Sequence, residues 1–131
     1  MASGLDQTFA DNVLNYSLNV SGAPAFSGSL KLKLMSANGT ATSDGTESSW
    51  TGYTTGGNTI TANTASAGSA TFPVATQTWT NGSGSTQTIA GVELWDTSPF
   101  RYWWGALTSS VSLPNTDTLQ ITAAGCSCNF P

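Results

Sequence analysis

The sequence contains no histidine, three cationic side chains and 8% charged residues over 131 positions. Without histidine the commonest general base is missing, which excludes a Ser-His-Asp triad and a Cys-His pair. Lys31, Lys33 and Arg101 are too few to neutralise a run of phosphates, so nucleic acid is excluded as a partner. They are equally too few to hold the chain on an anionic membrane surface. No stretch approaches the roughly 18 apolar residues of a spanning helix. Met1 to Gln7 carries neither a basic nor an apolar leader segment, so no export signal is expected. Cysteine is scarce as well. Cys126 and Cys128 would share a strand face at i and i+2, too far apart for a relaxed disulfide. Two free thiols near a strand end are expected, with interchain or strained bonding as the alternative. A metal site there would need two further ligands; no metal and no cofactor is expected.

Ser, Thr, Asn and Gly stand where charge is missing. Apolar residues still make up 38%, with five Trp, five Phe and three Tyr, enough large side chains to build a core. Disorder usually combines low hydrophobicity with high charge, and here the formal charge is only -4. The length fits one domain spanning residues 1–131.

Near the N-terminus, Ser3-Gly-Leu-Asp6 has the spacing of a capping box, with Asp in place of Glu. Leu5, Phe9, Val13 and Tyr16 then recur at helical intervals, which predicts one amphipathic helix over about residues 4–18. Asn19-Val20-Ser21-Gly22 and Pro24 supply its stop. From residue 29 to about 125 the pattern is that of strands. Leu30, Leu32 and Leu34 alternate with Lys31, Lys33 and Met35, placing the lysines on a solvent face or a guarded edge. Residues 37–57 read as a long polar loop pinned by Trp50 and Tyr53. Further strands are expected at about 58–65, 68–76, 86–96, 100–108 and 119–123. In the third of these, Ala90, Val92 and Leu94 face one way and Ile89, Glu93 and Trp95 the other. Asn81-Gly82-Ser83-Gly84-Ser85 reads as a flexible turn, and Asp96-Thr97-Ser98-Pro99 as another. Short strands with turns every 8–15 residues define a mainly β chain: a single antiparallel β-sandwich or jelly-roll-like domain with one N-terminal amphipathic helix.

Candidate chemistry is sparse. Ser29 and Lys31 could be drawn as a dyad, but two solvated side chains on one strand face account for them. Two carboxylates can hydrolyse a glycosidic bond, yet Glu93 and Asp96, three apart on one strand, point to opposite faces. Asp44 and Glu47 could share a calcium ion, although such a site wants 6–8 oxygens. No catalytic residues emerge, and the chain is not expected to be an enzyme.

The strongest local feature is aromatic. Trp95, Phe100, Tyr102, Trp103 and Trp104 could form a subunit contact, pack beneath the helix or the long loop, or offer a platform to sugar rings. Aromatic enrichment favours the contact, because one of two adjacent strand tryptophans must face away from the core. Together with the helix stripe, the candidate interface residues are Phe9, Val13, Tyr16, Trp95, Phe100, Tyr102, Trp103 and Trp104.

An ordered set of segments covers most of the chain. It runs from Ala10-Asp11-Asn12-Val13-Leu14-Asn15 through Leu30-Lys31-Leu32-Lys33-Leu34, Asn63-Thr64 and Ala70-Thr71-Phe72-Pro73. It continues with Trp79, Ile89-Ala90-Gly91-Val92-Glu93-Leu94-Trp95-Asp96, Trp104-Gly105-Ala106-Leu107 and Asp117-Thr118-Leu119-Gln120-Ile121. In order and spacing this set resembles a family of small phage virion proteins, minor structural proteins of the capsid-decoration and tail-fibre type. The Ser/Thr/Gly-rich loop after Leu34 and Cys126-Ser127-Cys128 depart from that pattern. The resemblance implies a virion component made in the host cytoplasm, with no catalytic residues to carry over. A projecting fibre needs a coiled-coil or triple-helical stalk, and this chain has none. The expectation is therefore a decoration (cement) protein on the capsid exterior, homo-oligomeric and preferentially trimeric, bound to the major capsid protein. The alternatives are a tail-tip adhesin that binds host glycan and a stand-alone carbohydrate-binding module.

Overall fold

The structure is a computed structural model that describes residues 3–18, 20–21, 29–98 and 100–129. Its elements are β1 (Ser3–Leu5), α1 (Gln7–Ser17), β2 (Leu30–Ala37), β3 (Thr46–Glu47), β4 (Asn58–Ile60) and β5 (Ser69–Phe72). They continue with β6 (Gln77–Thr80), β7 (Gln87–Trp95), β8 (Arg101–Leu113), β9 (Thr118–Ile121) and β10 (Cys126–Asn129). The chain is mainly β, every strand pairing is antiparallel, and a single helix is present among the described residues.

The main sheet runs in the order β1-β8-β7-β2-β3, with β4 also paired to β2. Two small ladders, β5 with β10 and β6 with β9, complete the strand set. Alternation along β2 buries Leu32 and Leu34 completely, opposite Leu94 and Val92 of β7. Trp103 of β8 pairs with Leu94, and Phe72 of β5 meets it edge-on at 5.2 Å. Trp79 of β6 joins the same cluster. Each of these side chains contributes about 1.5–3 kcal/mol through burial, and together they hold the small ladders on the main sheet. Trp50 and Tyr53, in the polar stretch after β2, are buried in the same core.

Several expectations are corrected. The helix begins at Gln7 and not near residue 4, because Gly4 and Leu5 pair with Trp104 and Trp103 in β8. Asp6 itself is the cap: its Oδ1 accepts the Phe9 N–H at 3.1 Å. The expected stop at residues 19–24 lies mostly outside the described residues. The stretch from 37 to 57 contains β3, which pairs with Met35 and Ala37. β8 runs on to Leu113, and β6 and β10 are additional strands. Met35 is buried and Lys33 largely so, and β2 pairs with β7, β3 and β4, so this face is covered where a solvent face or a guarded edge was expected. Ile89 is also fully buried, in one cluster with Val92 and Leu94. The β7–β8 register shifts between Ile89 and Gly91, with the extra residues carried by β8.

Candidate functional site

The densest polar arrangement is centred on Arg101, at the start of β8. Here Leu94 pairs with Trp103 but Trp95 pairs with Arg101, so β8 carries one extra residue, a bulge of the kind that re-aims side chains. Arg101 is 4% exposed, and an unpaired guanidinium could not survive there. Its Nε donates to Asp6 Oδ2 at 3.1 Å and Nη2 donates to the same oxygen at 2.7 Å. Nη1 donates to Glu93 Oε1 at 3.0 Å and to the Ser43 carbonyl at 2.6 Å. Nη2 also reaches the Thr40 carbonyl at 2.6 Å. A guanidinium has five N–H donors, and each is now used. Burial opposes the charge, but the hydrogen bonds and charges of Asp6 and Glu93 outweigh it and hold the guanidinium above its ordinary range.

Glu93 is equally committed. Its Oε1 also accepts the Gly45 N–H at 2.8 Å, and Oε2 accepts the Trp95 indole N–H at 2.8 Å. A Cβ on Gly39 would run into Glu93 Oε1, Arg101 and the Gly45 nitrogen, so glycine lets this loop lie directly on the ion pair. Asp44 adds an exposed carboxylate at 3.5 Å from Arg101 Nε. An outlying group extends the polar face. Lys33 Nζ lies 3.3 Å from Glu47 and 4.1 Å from the centre of the Trp95 ring. Glu47 Oε1 accepts the Tyr53 hydroxyl at 3.0 Å and the Gly56 N–H at 2.6 Å. Burial first, and then the Glu47 charge, push the Tyr53 phenol up.

The expected interface residues divide between the core and half-buried positions. Tyr102 and Trp103 are buried inside the domain, so their rings are not available to a partner; this corrects their place in the interface set. Phe9 packs on Tyr102 at 4.7 Å with planes at 90°, and Phe100 lies 5.8 Å from Tyr102. The α1 ring is therefore seated on its own domain. Val13, Trp95, Phe100 and Trp104 are half-buried, and one face of Trp95 is taken by Lys33. The side chain of Tyr16 lies outside the described residues.

The paired-carboxylate readings also separate. Asp96 accepts the Ser98 and Phe100 N–H groups at 2.7 and 2.8 Å through Oδ1. Its Oδ2 accepts the Tyr102 hydroxyl at 2.9 Å, away from the partners of Glu93. Asp44 belongs to Arg101 and Glu47 to Lys33. Lys31 donates to Thr59 Oγ1 at 2.7 Å. Among the described residues, no three His, Cys, Asp or Glu side chains gather to hold a metal ion, and no helix is long and apolar enough to cross a membrane.

Arg101 was missed in the sequence reading, although a signal was present. It is the only arginine, set within Phe100-Arg101-Tyr102-Trp103-Trp104, and a charge flanked by buried rings must have buried partners. Between the main sheet and the ladders lies a partly open cavity of about 290 Å³, lined by Val92, Trp103, Leu107, Ile121 and Cys126 among others, without a charged side chain. No protein-family model matches the chain, and no curated protein matches its sequence.

Proposed function

We propose that the protein is a non-catalytic structural component of a phage particle, and specifically a decoration protein on the capsid exterior. One observation carries the non-catalytic part. The buried ionisable side chains Asp6, Glu93, Asp96 and Arg101 are all engaged in bracing the fold. Arg101 keeps no donor for a ligand, and Glu93 is held by three partners. Polar chemistry in this molecule fixes shape, which suits a part that works by fitting against neighbours.

The particle assignment rests on the resemblance of the ordered sequence segments. In this reading the small ladders form an incomplete second layer of a β-sandwich over the main sheet. The outer side of α1, where Leu14 is exposed, Leu18 just after the helix, also exposed, and half-buried Trp104 supply the surface for a trimer at a junction of the major capsid protein. A specific contact of that kind needs on the order of 800 Å² per partner. A host-glycan reading has less support, since Trp103 is buried and Lys33 covers one face of Trp95.

Antibody-gold labelling of purified particles, viewed by electron microscopy, tests the proposal. Label scattered over the heads is the expected result. Label confined to tail ends would replace it with a tail component or adhesin. No label on intact or gently opened particles would overturn the virion assignment.

A further inference from the structure

Three segments distant in sequence meet at one guanidinium. The β1–α1 segment brings Asp6, the loop after β2 brings the carbonyls of Thr40 and Ser43, and β7 brings Glu93. The first two also touch directly: the Gln7 N–H donates to the Ala41 carbonyl at 2.9 Å. The Asp6 N–H donates to the Tyr102 carbonyl at 3.0 Å, tying the start of α1 to the strand that carries Arg101. On the loop side, Gly45 N–H binds Glu93, and Gly39 lies against both Glu93 and Arg101.

We infer that the β1–α1 segment and loop 38–45 form a single clasp, closed by Arg101, which opens and closes as one unit. The physical reason is shared desolvation. If the β1–α1 segment leaves, Arg101 loses the partner of Nε and one of two for Nη2, and water must enter beside Glu93. The loop carbonyls then face hydrated donors and their contacts weaken. If the loop leaves first, Nη1 and Nη2 each lose a carbonyl, and the bonds to Asp6 become open to water. A group buried with all its donors satisfied is stable; the same group half-satisfied is costly. Each segment therefore makes docking of the other more favourable, and linkage makes that coupling reciprocal. A partner that captured either segment would release the other. This inference stands apart from the proposed virion role and holds whatever the protein assembles with.

Native-state hydrogen exchange on the full chain tests it, using Asp6→Asn, which keeps a capping side chain and removes the charge. The segment reporters are the amides of residues 6 and 10, bonded to Tyr102 and Asp6, and the loop reporters are the Thr40 and Gly45 amides. Asn81 and Ser48, bonded to Asp117 and Leu34, serve as controls. The expected result is a common loss of protection in both reporter sets, roughly 5- to 150-fold, with the controls unchanged. Gly39→Ala, entering from the loop side, should produce the same loss at Asp6 and Ala10, whose amides do not bond the loop. Should that variant not fold, Phe9→Ala tests the link again from the segment side, through the Thr40 and Gly45 amides. Faster exchange in the altered segment alone overturns the clasp. So does an equal loss at Asn81 and Ser48, since the unit would then open only with the whole domain.

Discussion

Arg101 and Asp6 lie 95 residues apart in sequence, yet two N–H groups of the arginine, at 3.1 and 2.7 Å, converge on one oxygen of the aspartate. The contact joins the N-terminal segment to the start of β8. It is a charge-assisted pair of the stronger class, set where water cannot compete for it.

Removing one member of a buried ionic group costs more than the group contributes, because the partners remain buried and unpaired. Arg101→Leu should therefore destabilise the fold by about 3–5 kcal/mol, read from urea unfolding. Arg101→Lys should recover less than half of that loss. An ammonium offers a compact point charge with three donors, whereas the observed partners are arranged around a planar fork. A lysine variant unfolding at the wild-type urea concentration would show that fork geometry is irrelevant here.

Glycines in the neighbourhood separate steric need from backbone need. A Cβ on Gly45 would approach the Ala37 carbonyl at 2.6 Å and the Gly39 nitrogen at 2.9 Å. Gly84 has φ +78° and open space around it. Gly45→Ala should cost about 1–3 kcal/mol from overpacking, and Gly84→Ala only about 1 kcal/mol from its backbone conformation. Paired thermal melts decide the order; the reverse order would mean that the loop over Glu93 yields easily.

What could be read in advance follows the range of the interactions. The alternation of Leu30, Leu32 and Leu34 marks β2 because strand periodicity is local. The aromatic run marks β8 for the same reason. The Arg101 group was not legible, since its members come from four segments and only tertiary folding brings them together. Asn81 shows the same limit. Asn-Gly-Ser-Gly-Ser has the composition of a flexible turn, yet Asn81 is fully buried and donates to the Ser85 and Leu113 carbonyls at 2.7 and 2.8 Å. Composition reports that a turn is present, not that its first side chain pins two chain segments. The full burial of Ile89 and Glu93 alongside Val92 and Leu94 was likewise not legible, since the elements that cover β7 come from elsewhere in the chain.

The two adjacent tryptophans should behave differently. Trp103 is in the core against Phe72, so Trp103→Ala should cost about 3–5 kcal/mol of stability. Trp104 is half-buried, and if the proposed trimer forms through it, Trp104→Ala should leave a folded protein that is monomeric. Native mass spectrometry with circular dichroism checks both. An unchanged native mass in a folded Trp104 variant would remove this ring from the interface.

Cys126 is shielded in the β5–β10 ladder, where burial pushes its thiol up from 9.0 to about 11. The thiolate fraction near neutral pH is then about a hundredfold smaller than in the unfolded chain. Greater intrinsic nucleophilicity offsets part of that, leaving a rate roughly tenfold lower before any steric shielding. Labelling with a disulfide reagent should therefore be at least tenfold slower in the native protein than in urea at the same pH. Equal rates would place the thiol in solvent.

The same raised values make a prediction about alkaline stability. Burial first, and then the Asp96 carboxylate, push Tyr102 up from 10.0 to about 12. An acid whose folded value lies above its unfolded value is stabilised in its protonated form. Its contribution is complete below the unfolded value and is lost as pH rises through the folded one. For Cys126 that window runs from 9.0 to about 11, and for Tyr102 from 10.0 to about 12. Stability should thus be flat up to about pH 9 and decline steadily above it. Tyr102 is held neutral by the fold, so its ionisation should coincide with unfolding. Tyrosinate absorbance and tryptophan emission followed in one alkaline titration test this. A tyrosinate step assigned to Tyr102 by its Phe variant, complete near pH 10 with tryptophan emission still native, would mean that its hydroxyl is not held by Asp96 in solution.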